Sequence, residues 1–189
     1  MRATGETCLV VRPSSEMRRE SQAPPRRVRY DAGVRIFLCR HGDAVPEEDA
    51  GSDRDRWLSS RGREQARVLG RLLREQGVQP DTVLVSPLPR AAQTGELLAA
   101  SLDYLGIVTS LRCLEPSAHP KVAVDAIRAA GEAVIVVSHE PVISAIGAFL
   151  LGIPAFPQFR TAQCCALEGG KPTFTARADL GQILPLLLD

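Results

Sequence analysis

Four side chains in this sequence are spaced for work on an anion. Arg40 and His41 end the apolar run Ile36-Phe37-Leu38-Cys39. Arg90 follows Thr82-Val83-Leu84-Val85 by way of Ser86-Pro87, and His139 follows Ala133-Val134-Ile135-Val136-Val137-Ser138. Each can carry positive charge or donate hydrogen bonds, and the planar fork of arginine matches phosphate oxygens. If the three segments share one crevice, one imidazole can attack phosphorus while the other and the arginines stabilise charge on the equatorial oxygens. Histidine suits this role because its neutral form is accessible near neutral pH. It must be held in one tautomer, which a backbone carbonyl bonded to the other ring nitrogen achieves. Gly42 lets the chain turn tightly at that point. Protein cations supply the charge, so the chemistry calls for no metal and no cofactor.

Each residue also has an ordinary use. Arg-His-Gly occurs by chance in many chains, an arginine on a helix is usually a surface charge, and a histidine after an apolar strand can be structural. The weight lies in their joint occurrence at three strand ends.

The elements that must position these groups follow from hydrophobic pattern and turn signals. A strand over 34–39 runs into the Arg-His-Gly triplet, and an acid-rich polar loop covers 43–56. Ser59 or Ser60 can cap a helix through 76, in which Ala66, Leu69, Leu72 and Leu73 make one apolar face and which Gly77 closes. Further strands are expected over 82–85, 107–109 and 133–137, with helices over 90–101, 121–130 and from 141 through 151. Two more strands are expected over 163–167 and 173–178. Continuous apolar strands alternating with helices signal an α/β domain whose parallel sheet is covered on both faces. In such sheets ligands bind at the carboxyl ends of the strands.

Composition narrows the alternatives. The 189 residues suit one domain, 34–189, with room for a tail. Hydrophobic residues make up 44% and aromatics 4%, so aliphatic packing must carry the core. A formal net charge of +1 argues against nucleic acid as a partner. The odd count of five cysteines, without a CxxC pair, and three histidines without HxxxH or HxH spacing disfavour a disulfide framework or a zinc site. Reduced thiols in a cytoplasmic protein are the expectation. No apolar run is long enough to span a membrane, and Leu9-Val10-Val11 is too short for a signal-peptide core. Residues 1–33, rich in proline, serine and arginine, read as a mobile tail, with a docking or anion-binding arm as the alternative.

The motifs resemble a known family. Cys39-Arg40-His41-Gly42-Asp43-Ala44, Ser86-Pro87-Leu88-Pro89-Arg90-Ala91-Ala92-Gln93-Thr94 and Val136-Val137-Ser138-His139-Glu140-Pro141 are similar to the three signature stretches of the histidine phosphatase superfamily. The short RHGDA form, the segment Leu58-Ser59-Ser60-Arg61-Gly62-Arg63-Glu64-Gln65-Ala66 and the compact length look most like bacterial SixA-type phosphohistidine phosphatases. The resemblance covers about 34–178. It implies a three-layer α/β/α sandwich with a mostly parallel central sheet, like that of phosphoglycerate mutase. It implies His41 as phospho-accepting nucleophile, with Arg40, Arg90 and His139 forming the phosphate pocket and the Glu140 amide as a further contributor.

The substrate turns on a general acid. Breaking a P–O bond to an alkoxide normally needs one, whereas imidazole leaves readily once protonated. Glu115 lies in chain order where the superfamily often carries its acid, and the ordinary reading is a solvated loop carboxylate. Asp43 is a second candidate, or else orients its loop. Glu47, Glu48, Asp49, Asp53 and Asp55 are expected to be mostly solvated, His119 to be a loop histidine, and Trp57 to anchor the loop by packing. The leading expectation is thus a metal-independent phosphatase acting on phosphohistidine in a protein. A small-molecule phosphomonoesterase using Glu115 is the alternative, and a non-catalytic phosphate-binding module the remote one.

Overall fold

The computed structural model describes residues 33–186 and Leu188. The expectation of a tail over 1–33 concerns residues that, Gly33 apart, lie outside this range, as does Cys8. The elements are β1 (Arg35–Arg40), α1 (Glu47–Ala50), α2 (Ser60–Glu75), β2 (Thr82–Val85), α3 (Pro89–Ser101), β3 (Val108–Ser110), α4 (Pro120–Arg128), β4 (Ala133–Ser138), α5 (Val142–Leu151), β5 (Gln163–Glu168), β6 (Lys171–Arg177) and β7 (Gln182–Pro185). Short 3-10 turns cover Asp53–Asp55 and Arg112–Leu114.

The seven strands form one sheet in the order β3-β2-β4-β1-β5-β6-β7. The first four strands of the chain pair in parallel, and β5, β6 and β7 add on in antiparallel fashion beyond β1. Side-chain alternation along the strands divides the core into two layers. Phe37, Cys39, Ile135 and Val137 pack with Leu69, Leu73 and Leu98 of α2 and α3 on one face. Ile36, Leu38, Val134 and Val136 pack with Ile127, Ile143 and Ile146 of α4 and α5 on the other. This is the expected three-layer α/β/α sandwich. Burying each such aliphatic side chain contributes about 1.5–3 kcal/mol, and that is how a core poor in aromatics holds.

Helix α2 starts at the expected signal: the Ser59 side chain accepts from the Gly62 amide at 3.0 Å. Gly77 follows its end at φ +67, the left-handed conformation that glycine adopts freely. Two elements escaped the pattern reading. Helix α1 is a single turn of acidic residues with none buried, so it leaves no periodicity. Strand β7 is an edge strand carrying Pro185, which is tolerated there because one side needs no ladder bond.

Parallel pairing aligns the motif-bearing strand ends. Arg40 lies opposite Ser138, and Val85 opposite Val137. Helix α2, which leads from β1 to β2, packs on one face and α5, which follows β4, on the other, so the chain diverges where these two neighbours end. That divergence opens a crevice at the carboxyl edge of an α/β sheet.

Candidate active site

The divergence point brings His41 and His139 together, with ring centroids 4.8 Å apart and planes tilted by 55°. The His41 amide donates to the Ser138 carbonyl at 3.1 Å, and its carbonyl accepts from Ala162 at 3.0 Å. Backbone pairing on both sides therefore fixes the residue just past the end of β1. His41 is 8% exposed and His139 2%, so both rings sit deep in the crevice.

His41 Nδ1 lies 2.7 Å from the Gly42 carbonyl. A carbonyl only accepts, so this contact puts the ring proton on Nδ1 and the lone pair on Nε2. Burial, helped by the charges of Arg90, Arg40 and Arg56, lowers the His41 pKa from 6.5 to about 4 against the opposing pull of the Gly42 bond. Burial, His41, Arg90 and Arg40 lower that of His139 to about 2. Both rings are neutral at pH 7. Neither nitrogen of His139 has a hydrogen-bond partner, and neither does Arg40 Nε. Buried polar groups are normally paired, so this cluster of orphans is shaped for a polar ligand.

The lowered values have a consequence for stability. The unfolded chain takes up protons on these rings near pH 6.5, whereas the folded chain resists until about 4 and 2. Stability from this source is complete above the unfolded value and falls as pH drops, through about 4 for His41 and on toward about 2 for His139. Each ring costs about 1.4 kcal/mol per pH unit within its window. Urea titrations should therefore show a loss of about 2 kcal/mol between pH 7 and pH 5.5. A double variant with both rings replaced by asparagine should lose most of that slope, and an unchanged slope would contradict the burial account.

The arginines arrive by different routes. Arg40, the last residue of β1, donates through Nη1 to the Phe159 carbonyl at 2.7 Å. The Phe159 amide in turn donates to Glu140 Oε1 at 2.6 Å, which also accepts from Ser144 Oγ at 2.7 Å. The side chain next to His139 thus positions Arg40 through a loop carbonyl, a link that no spacing in the sequence reveals. Arg90, in the first turn of α3, is 4% exposed. Its Nη1 donates to the Asp53 carbonyl at 2.6 Å and its Nη2 to the Asp53 carboxylate at 3.1 Å.

Other motif residues build the frame. Thr94 Oγ1 accepts from the Gly42 amide at 3.1 Å and donates to the Arg90 carbonyl at 2.7 Å, joining the first two motifs. Gln93 Oε1 accepts from Leu58 N, and Gln65 Oε1 from Asp43 N, both at 2.8 Å. Asp43 Oδ2 accepts from Ser59 Oγ at 2.6 Å, so Asp43 ties its loop to the start of α2. Gly42 is needed for closeness and not for an unusual turn: its φ is not positive, but a Cβ there would stand 2.6 Å from the Gly62 carbonyl. Gly62 meets the Asp43 backbone in the same way.

Several expectations for the loop need correction. Trp57 does not anchor it, being 39% exposed; fully buried Leu58 does, bridging to Ala44. Asp53 is bound to Arg90 instead of being simply solvated. His119 is a loop histidine as expected, and it also caps α4, its Nδ1 accepting from the Lys121 amide at 3.3 Å. Glu115 Oε2 accepts from Arg54 Nη1 at 3.1 Å. It follows Leu114, whose carbonyl receives Ser138 Oγ at 2.7 Å, so Glu115 lies along the same rim as His139.

Cys39, Cys113, Cys164 and Cys165 are free, and burial raises Cys164 well above the usual thiol range and Cys165 to about 12. Among the described residues, no group of three or more His, Cys, Asp or Glu side chains is arranged to hold a metal ion, and no helix is long and apolar enough to cross a membrane. A cavity of about 460 Å3 lies before β2 and after α3, lined by Val78, Pro80, Leu102 and Tyr104 among others, and holds none of the motif residues.

Known proteins are similar to this chain in sequence and fold. The sequence profile of the histidine phosphatase superfamily (branch 1) matches residues 36–115. The phosphohistidine phosphatase SixA of Escherichia coli (strain K12) is 32% identical over 148 residues, covering 75% of this chain and 91% of that protein. The structure of the protein histidine phosphatase SixA complexed with tungstate superposes with a TM-score of 0.67 at 28% identity, covering 80% of this chain and 97% of that one. A phosphoglycerate mutase from Bacillus anthracis str. Sterne shares the fold at a TM-score of 0.58 and 16% identity, covering 74% of this chain and 90% of that one. With a relative matched at this identity over nearly its whole length, a matching family profile and a shared fold, the chain belongs to the histidine phosphatase superfamily and is a phosphatase.

Proposed function

We propose that the chain is a metal-independent phosphohistidine phosphatase that passes the phosphoryl group through His41. The observation that carries this reading is the His41–Gly42 contact, which leaves Nε2 as a neutral nucleophile beside the unpaired donors of Arg40 and His139. The Nε2 lone pair attacks phosphorus, and the P–N bond to the substrate imidazole breaks with its electron pair returning to a ring that takes up a proton. The oxygen of a water molecule then attacks the phosphorus carried on Nε2, losing a proton to solvent. The P–N bond breaks, orthophosphate leaves, and the lone pair returns to His41. Arg40, Arg90 and His139 hold the equatorial oxygens through both steps, and protein cations make a metal unnecessary. The arriving dianion offsets the arginine charges that add to the effect of burial in lowering both pKa values.

A protein-borne phosphohistidine, as on a histidine phosphotransfer domain, fits best because its imidazole leaves readily without a strong general acid, and the Glu115 carboxylate is engaged by Arg54. The relatives named phosphohistidine phosphatase support the same choice. A small phosphomonoester is the second reading, supported by the place of Glu115 on the His139 rim.

Turnover of a phosphohistidine protein and of an alkyl phosphate, both in EDTA, separates them. The phosphohistidine should be preferred by more than about a hundredfold, the smaller end of what general acid catalysis contributes. Glu115→Gln should leave its turnover unchanged. Comparable turnover of the alkyl phosphate, lost in Glu115→Gln, would establish the second reading instead.

A further inference from the structure

The turn at Asp53–Asp55 sets an acid against the phosphate-binding arginine. Asp53 Oδ2 accepts from Arg90 Nη2 at 3.1 Å and Oδ1 from Arg56 Nη1 at 3.0 Å. Arg56 is held separately, its Nε donating to the Val45 carbonyl at 2.7 Å. The charges of Arg90 and Arg56 both act on His41, so both guanidiniums face the crevice electrostatically. The Arg90 side chain is 5% exposed, whereas that of Asp53 is 54% exposed. A carboxylate clasped between two arginine forks occupies the arrangement that arginines offer a phosphoryl group. The bond from Arg56, with Arg90 adding to it, holds the Asp53 carboxyl below the ordinary carboxylate range, so the group is anionic when substrate arrives.

Two anions cannot share the same donors at such distances without strong repulsion. The Asp53 side chain is free to turn outward, because its environment is half solvent. Its backbone need not follow: Arg90 still holds the Asp53 carbonyl, and Ser52 caps the turn through the Asp55 amide at 3.3 Å and carboxylate at 2.6 Å.

We propose that Asp53 is an internal counter-anion that the substrate's phosphoryl group displaces, and that Arg56, freed from it, becomes a third phosphoryl-binding cation. The pair thereby sets specificity. A free phosphate anion must spend its binding energy on displacing Asp53, whereas a phosphoryl group carried on a protein brings further contacts to offset that cost. The proposal rests on the reading that Arg90 binds the phosphoryl group.

The test is the inhibition constant of orthophosphate for the full chain, with thermal melts confirming that each variant is folded. Asp53→Asn removes the charge and keeps the carbonyl that holds Arg90. It should bind orthophosphate roughly five-fold more tightly, the scale of an exposed ion pair, with a gain that shrinks as salt is added. Arg56→Gln should bind it more weakly by a similar factor. If Asp53→Asn binds no better than the parent while Arg90→Gln loses binding, Asp53 merely positions Arg90 and the displacement proposal is wrong. If Arg90→Gln binds orthophosphate as well as the parent, the assignment of the phosphate pocket itself fails.

Discussion

His41→Ala should lower turnover by at least roughly ten-thousandfold, because removal of a covalent nucleophile closes the pathway instead of slowing one step. The matching direct observation is rapid-quench trapping. The parent should show acid-labile, base-stable phosphate on the protein within the first turnover, and the variant none. On the proposed mechanism the neighbouring His139 should not replace His41 as nucleophile. The ring proton of His41 is engaged by Gly42, which aims Nε2, whereas neither nitrogen of His139 has such an orienting bond. Residual turnover near the parental rate, or labelled phosphate persisting in His41→Ala, would move the nucleophile elsewhere.

His139→Ala should lower kcat by about a hundred- to a thousandfold, the scale of removing one preorganised donor to a developing oxyanion. Its effect on stability should be far smaller than on rate. The ring makes no hydrogen bond in the fold, so truncation breaks none and removes a polar group whose burial is costly. A structural histidine would behave in the opposite way, with a marked fall in melting temperature and little change in kcat. The phosphoenzyme should still form in His139→Ala, only slowly, and that separates its role from that of His41.

The convergence of these residues was legible in the sequence because parallel sheets bring strand ends to one edge. Three continuous apolar runs each ending in a histidine, an arginine or a serine–proline turn leave few ways to build the domain, and all of them bring the ends to one edge. Patterning likewise set α2, where Leu69, Leu72 and Leu73 are all buried. It failed for α1 and β7, which are too short and too exposed to carry a periodic signal. The tight-turn argument for Gly42 named the right residue with the wrong cause. Contact with Gly62, twenty residues away, is invisible to local conformational reasoning.

The acid-rich segment over 43–56 shows the limit most clearly. Its acids look alike in sequence, yet Glu47, Glu48, Asp49 and Asp55 are exposed on the surface while Asp53 reaches the buried Arg90. Glu140 and Thr94 read as motif letters, and only in three dimensions do they become a brace for Arg40 and a clasp on Gly42. By itself the sequence determined the α/β layers, the edge of the sheet that bears the site and the four residues that meet there, because strand periodicity and strand ends are local properties. Only the tertiary structure decided which His41 nitrogen is free, which carboxylate meets which arginine and why two glycines must be glycines. Those outcomes depend on distances between residues far apart in the chain, which a linear pattern does not encode.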